Sequence, residues 1–321
     1  MSALNPSSSG WQVVKRKAKK IGNKVDKIVH NYPKLPRTLS EESLPLKIGS
    51  KVSVNSYNAF LDENESSGYK FYRENKNVYI VDMSNAEHGA VVVYLIQRFA
   101  IPNNGAMVGP IYIYGDAFHY NPTGSGEKIA ADVAIRPLKN YVLRPSIPHP
   151  GPPPSDVNGC AHARIVCEVA NAQGVGHWNK KCETWMLEPY VRCVFGIKLF
   201  PKKTMGTAVH RQMIARLWTR EASGRSVIST NTTLADAGVH VTEWDFGTMR
   251  YGTKTPTLTD CNASNLDAFR VTVPVSYVFY DPPLVGTVPA QYAVFVPNTV
   301  VGLNFVIDLY DVQMLVLEAM K

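Results

Sequence analysis

The chain has 321 residues, 45% of them hydrophobic and 10% aromatic, with 34 basic against 26 acidic side chains and a formal net charge of +8. That apolar content supports a sizeable core and excludes wholesale disorder, and the length is that of about two domains or one elaborated domain. The charge is concentrated: residues 1–40 hold nine basic side chains (Lys15, Arg16, Lys17, Lys19, Lys20, Lys24, Lys27, Lys34 and Arg37) and one acid, Asp26, which leaves 25 of each sign in the rest. A neutral body with a basic arm attracts phosphate polymers or anionic membrane surfaces.

Residues 1–10 are polar, with no apolar segment after them, so no secretory leader is expected. From Val14 the apolar positions Val14, Ala18, Ile21, Val25 and Ile28 recur at helical spacing among the lysines, until Pro33 and Pro36 end the segment. Residues 71–83 read as a short turn followed by a strand. Residues 90–99 read as a buried segment whose length and lack of breakers allow helix or strand, and a helix is favoured, with Ser84 and Glu87 at capping-box spacing before it. Residues 111–114 and 129–135 read as strands, and the Pro- and Gly-rich stretch 144–159 as a surface loop. Residues 163–169 form a buried strand, 178–187 a helix and 191–200 the next strand, an order that implies a crossover within one sheet. Beyond Lys203, residues 210–219 read as a helix, 239–246 and 269–280 as strands, and 305–320 as an amphipathic helix with Ile307, Tyr310, Met314 and Leu317 on one face. The longest apolar run, residues 90–96, is too short to span a bilayer.

Three features in the middle of the chain carry chemistry. Asp132 opens the apolar run Val133-Ala134-Ile135, Glu168 lies near the end of the apolar run Ile165-Val166-Cys167, and Lys180 and Lys181 lie on the helix that follows. An acid in such a run is costly unless it is paired or binds a metal. Two acids on adjacent strands suit a hard cation such as Mg²⁺, which takes oxygen ligands together with waters and substrate phosphates. A nearby lysine can orient the attacking water or stabilise developing charge. Their ordinary structural roles are a turn cap or an ion pair with Arg136 for Asp132, an ion pair with Arg164 or a bond to a backbone amide for Glu168, and a solvated helix position for the lysines. His88 can face the same site or close a helix turn, and Gln173, just past the strand, can touch a substrate.

Four blocks between residues 38 and 200 resemble the Uma2-like branch of the PD-(D/E)XK nuclease superfamily. They are Val81-Asp82-Met83-Ser84 through Glu87-His88-Gly89, then Ala130-Ala131-Asp132-Val133-Ala134, then Cys167-Glu168-Val169-Ala170-Asn171, and last Lys181 ahead of Trp185 and Phe195-Gly196-Ile197. The resemblance implies a restriction-endonuclease-like α/β fold, a central mixed sheet flanked by helices. It further implies a magnesium site on Asp132 and Glu168, with DNA as the default substrate. Lysine usually stands two residues after the second acid; Ala170 is there, so the lysine role passes to the helix, with Lys181 the first candidate and its neighbour Lys180 the second. A further acid expected near Tyr72-Arg73-Glu74 falls on Glu74, or is missing if Arg73 takes that register.

The chain is thus expected to divide into a basic arm (1–37), a restriction-endonuclease-like domain (38–205) and a β-rich C-terminal extension ending in a helix (206–321). The expected function is Mg²⁺-dependent hydrolysis of DNA, with RNA not excluded and a homodimer left open. Lys15, Arg16, Lys17, Lys19 and Lys20 of the arm would contact nucleic acid or act as a nuclear address. The alternative is a nuclease-like module that binds nucleic acid or a protein without cutting. Five cysteines at 160, 167, 182, 193 and 261, an odd number with no CxxC pair, predict free thiols and an intracellular location, nucleus or cytoplasm. Cys160, His162, Cys167, His177 and Cys182 are irregularly spaced for zinc, and strand alternation sends Cys167 away from Cys160 and His162.

Overall fold

A run that is apolar at all but one position can lie only where both its faces are covered, and the strand Ile165–Ala170, buried at all six residues with Glu168 its single charged member, occupies that place. The computed structural model describes residues 32–115, 118–142, 155–220, 234–253, 257–282 and 288–320; the lysines and arginine of the arm that were assigned to nucleic acid lie outside them. In chain order the elements are β1 (Leu46–Gly49), α1 (Val54–Glu63), β2 (Tyr69–Glu74), β3 (Asn77–Met83), α2 (Ala86–Ala100), β4 (Ile111–Tyr114), β5 (Phe118–Tyr120), β6 (Lys128–Ala130), β7 (Val133–Pro137), β8 (Ile165–Ala170), α3 (Val175–Met186), β9 (Cys193–Met205), β10 (Ala208–Arg220), β11 (Val239–Asp245), β12 (Arg270–Pro274), β13 (Asn304–Asp308) and α4 (Leu309–Ala319).

The fold is mixed α/β. Its central sheet has six strands in the order β11-β10-β9-β8-β7-β4. β8 and β9 run parallel, and the other neighbours are antiparallel. A parallel pair needs a crossover connection, and α3 supplies it. Along β8 the side chains alternate. Ile165, Cys167 and Val169 pack into a core with Val91, Leu95 and Phe99 of α2 and Val312 and Val316 of α4. Val166 and Ala170 pack on the other face with Trp178, Cys182 and Trp185 of α3. Helices therefore cover both faces of the sheet. A second, three-stranded sheet, β1-β3-β2, lies with α1 ahead of α2 in the chain.

Several local expectations are corrected. Residues 71–83 form a hairpin rather than a turn and one strand, since β2 pairs with β3 around Asn75 and Lys76, both at positive φ. The cap of α2 is Asn85, whose side chain accepts from the His88 amide at 2.9 Å, one residue later than Ser84. Residues 129–135 are split between β6 and β7, with Asp132 in the break. Residues 210–219 are not a helix but part of β10. Met213, Ala215 and Leu217 face one core and Ile214 and Trp218 the other, so burial on both sides erased the period of two that marks a strand. Residues 269–280 are strand only over β12, before a 3-10 turn, Val275–Phe279. Residues 305–320 begin as strand β13 and become helix only at Leu309.

The expected boundary at residue 205 falls at the tip of a continuous hairpin, where Met205 on β9 pairs with Ala208 on β10. The C-terminal stretch contributes two strands to the same sheet and α4 to the same core. Asn31–Lys321 is one compact unit. Among the described residues no helix is long and apolar enough to cross a membrane.

Candidate active site

The register of the sheet brings the two acids level. β7 and β8 pair antiparallel through Val133 and Cys167, so the next step along the ladder sets Asp132 opposite Glu168. Both carboxylates are buried, each residue only 3% exposed. α3 returns over the Glu168 face of β8 because Trp178, Cys182, Trp185 and Met186 form its apolar side. Trp178 lies directly on Gly196 of β9, where a Cβ would stand 2.6 Å from the indole ring.

The two carboxylates are held in the same way. Glu168 Oε1 accepts from Trp185 Nε1 at 2.5 Å, and Oε2 accepts from Lys181 Nζ at 2.8 Å. Asp132 Oδ2 accepts from the Val169 amide at 2.7 Å, and Oδ1 lies 2.5 Å from Lys70 Nζ and 3.3 Å from His88 Nε2. Each acid thus has one oxygen fixed by a neutral N–H and the other against an ammonium. Their proton affinities nevertheless diverge. Burial pushes Glu168 up to about 7 against the pull of Lys181. Burial acts in the same direction on Asp132, but Lys70 and then His88 outweigh it and hold the carboxyl well below the ordinary range. Burial disfavours the His88 imidazolium, yet the facing Asp132 raises its pKa.

A second layer fixes the end of β8. Asp82, buried on β3, accepts from the amides of Asn171 and Ala172 at 2.7 and 2.8 Å. Asn171 is held by Glu41 at 2.9 Å and by Arg211 at 2.5 Å, and Arg211 is ion-paired to Glu87. Lys198 of β9 donates to the carbonyls of Asn171 and Leu199, and burial lowers its pKa to about 8.

The acids lie beside an open cleft lined by β2, α3 and the end of α1, with Lys70, Arg73, Lys128, Gln173, Lys180 and Lys181 in its wall. Of the residues predicted for the site, Asp132, Glu168 and Lys181 come together, and Gln173 lines the cleft. Lys180 and Glu74 pair with each other at 3.0 Å on the exposed rim, their side chains 58% and 42% exposed, apart from the two acids. Neither alternative ion pair forms: Arg164 bonds to the carbonyls of Tyr280 and His162 and to Asp281, and Arg136 lies over the rings of Tyr112 and Tyr114. The sequence reading missed Lys70 and Trp185. The turn at Glu74-Asn75-Lys76 could have extended the strand back to Lys70, but no local signal says which face of it meets Asp132.

Among the described residues no three His, Cys, Asp or Glu side chains converge as a metal cluster, and all five cysteines are free thiols. His162 lies instead against His119, ring centroids 4.3 Å apart, and His177 beside Tyr72. No protein-family model matches this chain, and no curated protein matches it in sequence.

Proposed function

We propose that this protein is a divalent-cation-dependent phosphodiesterase acting on nucleic acid, built on a restriction-endonuclease-like core. The observation that carries the reading is the convergence of Asp132 and Glu168, level on neighbouring strands, with the Lys181 ammonium on Glu168 at the wall of a cleft. The mixed sheet with helices on both faces supports the fold that the four sequence blocks imply.

The donor set fits a hard cation. It is all oxygen, it is two carboxylates, and in each the oxygen not fixed by a neutral N–H is held by a flexible lysine. Mg²⁺ is commonly bound by one or two carboxylates and completes its shell with waters and substrate phosphate. Bound between Asp132 and Glu168, it would supply Lewis-acid charge and an acidified water. Trp185 and the Val169 amide orient the two carboxylates. Lys181, with its side chain 26% exposed, is placed to hold the attacking water or the developing phosphate charge. Gln173 in the cleft wall would contact the substrate chain.

The full chain with Mg²⁺ is expected to cleave single- or double-stranded DNA or RNA. Asp132→Asn and Glu168→Gln are each expected to lower the rate at least about a hundredfold with an unchanged circular dichroism spectrum. Intact substrate throughout would sink the reading.

Two observations favour a second reading, a nucleic-acid-binding module without catalysis. Lys70 already neutralises Asp132, and Glu74, the candidate helper acid, is on the rim with Lys180. That reading is distinguished by binding with steep salt dependence and indifference to Mg²⁺.

A further inference from the structure

The side chain that most needs an account is Lys70, which the sequence blocks do not include. Asp132 is buried, and an isolated charge there would be strongly disfavoured, so the ionised carboxylate needs a cation beside it. Its Oδ2 is committed to the Val169 amide at 2.7 Å. Oδ1 is the oxygen with no amide bonded to it, and the Lys70 ammonium lies against it at 2.5 Å. A divalent ion on that oxygen and an ammonium beside it repel each other strongly at such a separation. The Lys70 side chain is 19% exposed and borders the cleft, so a rotation about its flexible stem carries the ammonium out among the substrate-facing side chains. His88, the other cation candidate on Oδ1, sits at 3.3 Å at the start of α2 and stays with the helix.

The cleft has little spare charge to attract a polyanion before that happens. Arg73 is paired to Glu127, Lys128 to Asp62, Lys180 to Glu74 and Lys181 to Glu168. Only an added cation alters that balance.

We propose that Lys70 is a displaceable internal counter-ion: it fills the cation position on Asp132 until a divalent ion evicts it, and the released ammonium then serves the phosphate chain in the cleft. This rests on the reading of Asp132 and Glu168 as a cation site and adds to it a coupling between the two ligands. Cation and phosphate polymer each bind more tightly in the presence of the other, because both favour the swung-out lysine.

The test is calorimetric titration of the full chain with Ca²⁺ alone. Lys70→Met, which removes the competitor, is expected to tighten Ca²⁺ binding by about tenfold or more, whereas Lys70→Arg, which keeps a permanent charge on Asp132, weakens it. Equal or weaker binding by Lys70→Met overturns the counter-ion role while leaving the cation site standing, provided Asp132→Asn abolishes the heat. Absence of Ca²⁺ binding in wild type and Lys70→Met alike overturns the cation site itself. Because Lys70→Met can lose stability, a second measurement uses the wild-type chain: amine-directed labelling of Lys70, read by mass spectrometry. Labelling is expected to rise with Ca²⁺; no change, with Ca²⁺ bound, overturns the proposal.

Discussion

At the residue scale the site turns on which nitrogen faces which oxygen. Lys180 and Lys181 are adjacent in sequence and differ by one helical step, yet one bonds to a buried carboxylate and the other to an exposed one. Exposed pairs of this kind contribute up to about 1 kcal/mol. Lys180→Met is therefore expected to change stability by no more than that and to leave cleavage within about threefold. Lys181→Met is expected to lower cleavage by about a hundredfold. Parallel urea melts and rate measurements on the two variants check both statements. Lys181→Met also strips the buried Glu168 of its ammonium partner. With burial already holding that carboxyl at about 7, the variant takes up a proton there rather than keeping an unpaired charge.

At the element scale the placement of the acids depends on how closely the strands and α3 can approach, and two glycines permit that approach. A Cβ on Gly196 would stand 2.6 Å from the Trp178 ring, which would be forced off the face of the sheet that carries Glu168. A Cβ on Gly247 would stand 2.4 Å from the Arg211 carbonyl oxygen and 2.5 Å from the Met213 amide nitrogen, both backbone atoms that cannot step aside. Gly196→Ala and Gly247→Ala are each expected to destabilise by about 2–3 kcal/mol in urea unfolding. They should differ in their local effect. Gly196→Ala displaces a ring on the face that carries Glu168, so it should also reduce cleavage per folded molecule. Gly247→Ala bends β10 where Arg211 anchors Asn171, at the far end of the supporting network.

At the scale of the whole molecule, buried titratable groups away from the site set the pH range in which the fold is stable. Burial, with His119 adding to it, holds the pKa of His162 well below 6.5, so the folded protein binds fewer protons there than the unfolded chain. Its contribution is present above 6.5 and is lost as the pH falls below that value. Glu188 has the opposite sign: burial raises it from 4.5 to about 8, so the folded state holds a proton that the unfolded chain releases. Stability is then lost as the pH rises from about 4.5 to about 8. Glu188→Gln, which cannot ionise, is expected to be more stable than wild type at pH 8 by at least about 1 kcal/mol, with the difference vanishing near pH 4.5. Urea unfolding of both proteins at several pH values reads this directly, and a constant difference would count against it. Charge has a second consequence at this scale. Residues 1–31 hold seven lysines and arginines and one acid. Deleting them is expected to weaken nucleic-acid binding and to flatten its dependence on salt. Fluorescence anisotropy at several salt concentrations checks it.

Segments whose signal is local were legible in their residues alone. The wholly apolar run around Glu168 had to be a covered strand, and the helix with Lys180 and Lys181 after it, followed by another strand, had to be a crossover. The charge of the arm and the oxygen character of the candidate site are likewise written in residue identities. Tertiary structure decided the rest. Residues 210–219 carry apolar side chains toward both cores, so no period separated strand from helix until the neighbouring strands and α3 were in place. Which carboxylate each of Lys180 and Lys181 meets followed from the rotation of one helix over one strand. Lys70 became visible only when β2 was brought to Asp132, because a contact across 62 positions leaves no trace in the pattern around either residue. Periodicity reports which face of an element is buried; register and packing report what that face meets, and the chemistry of this site depends on the second.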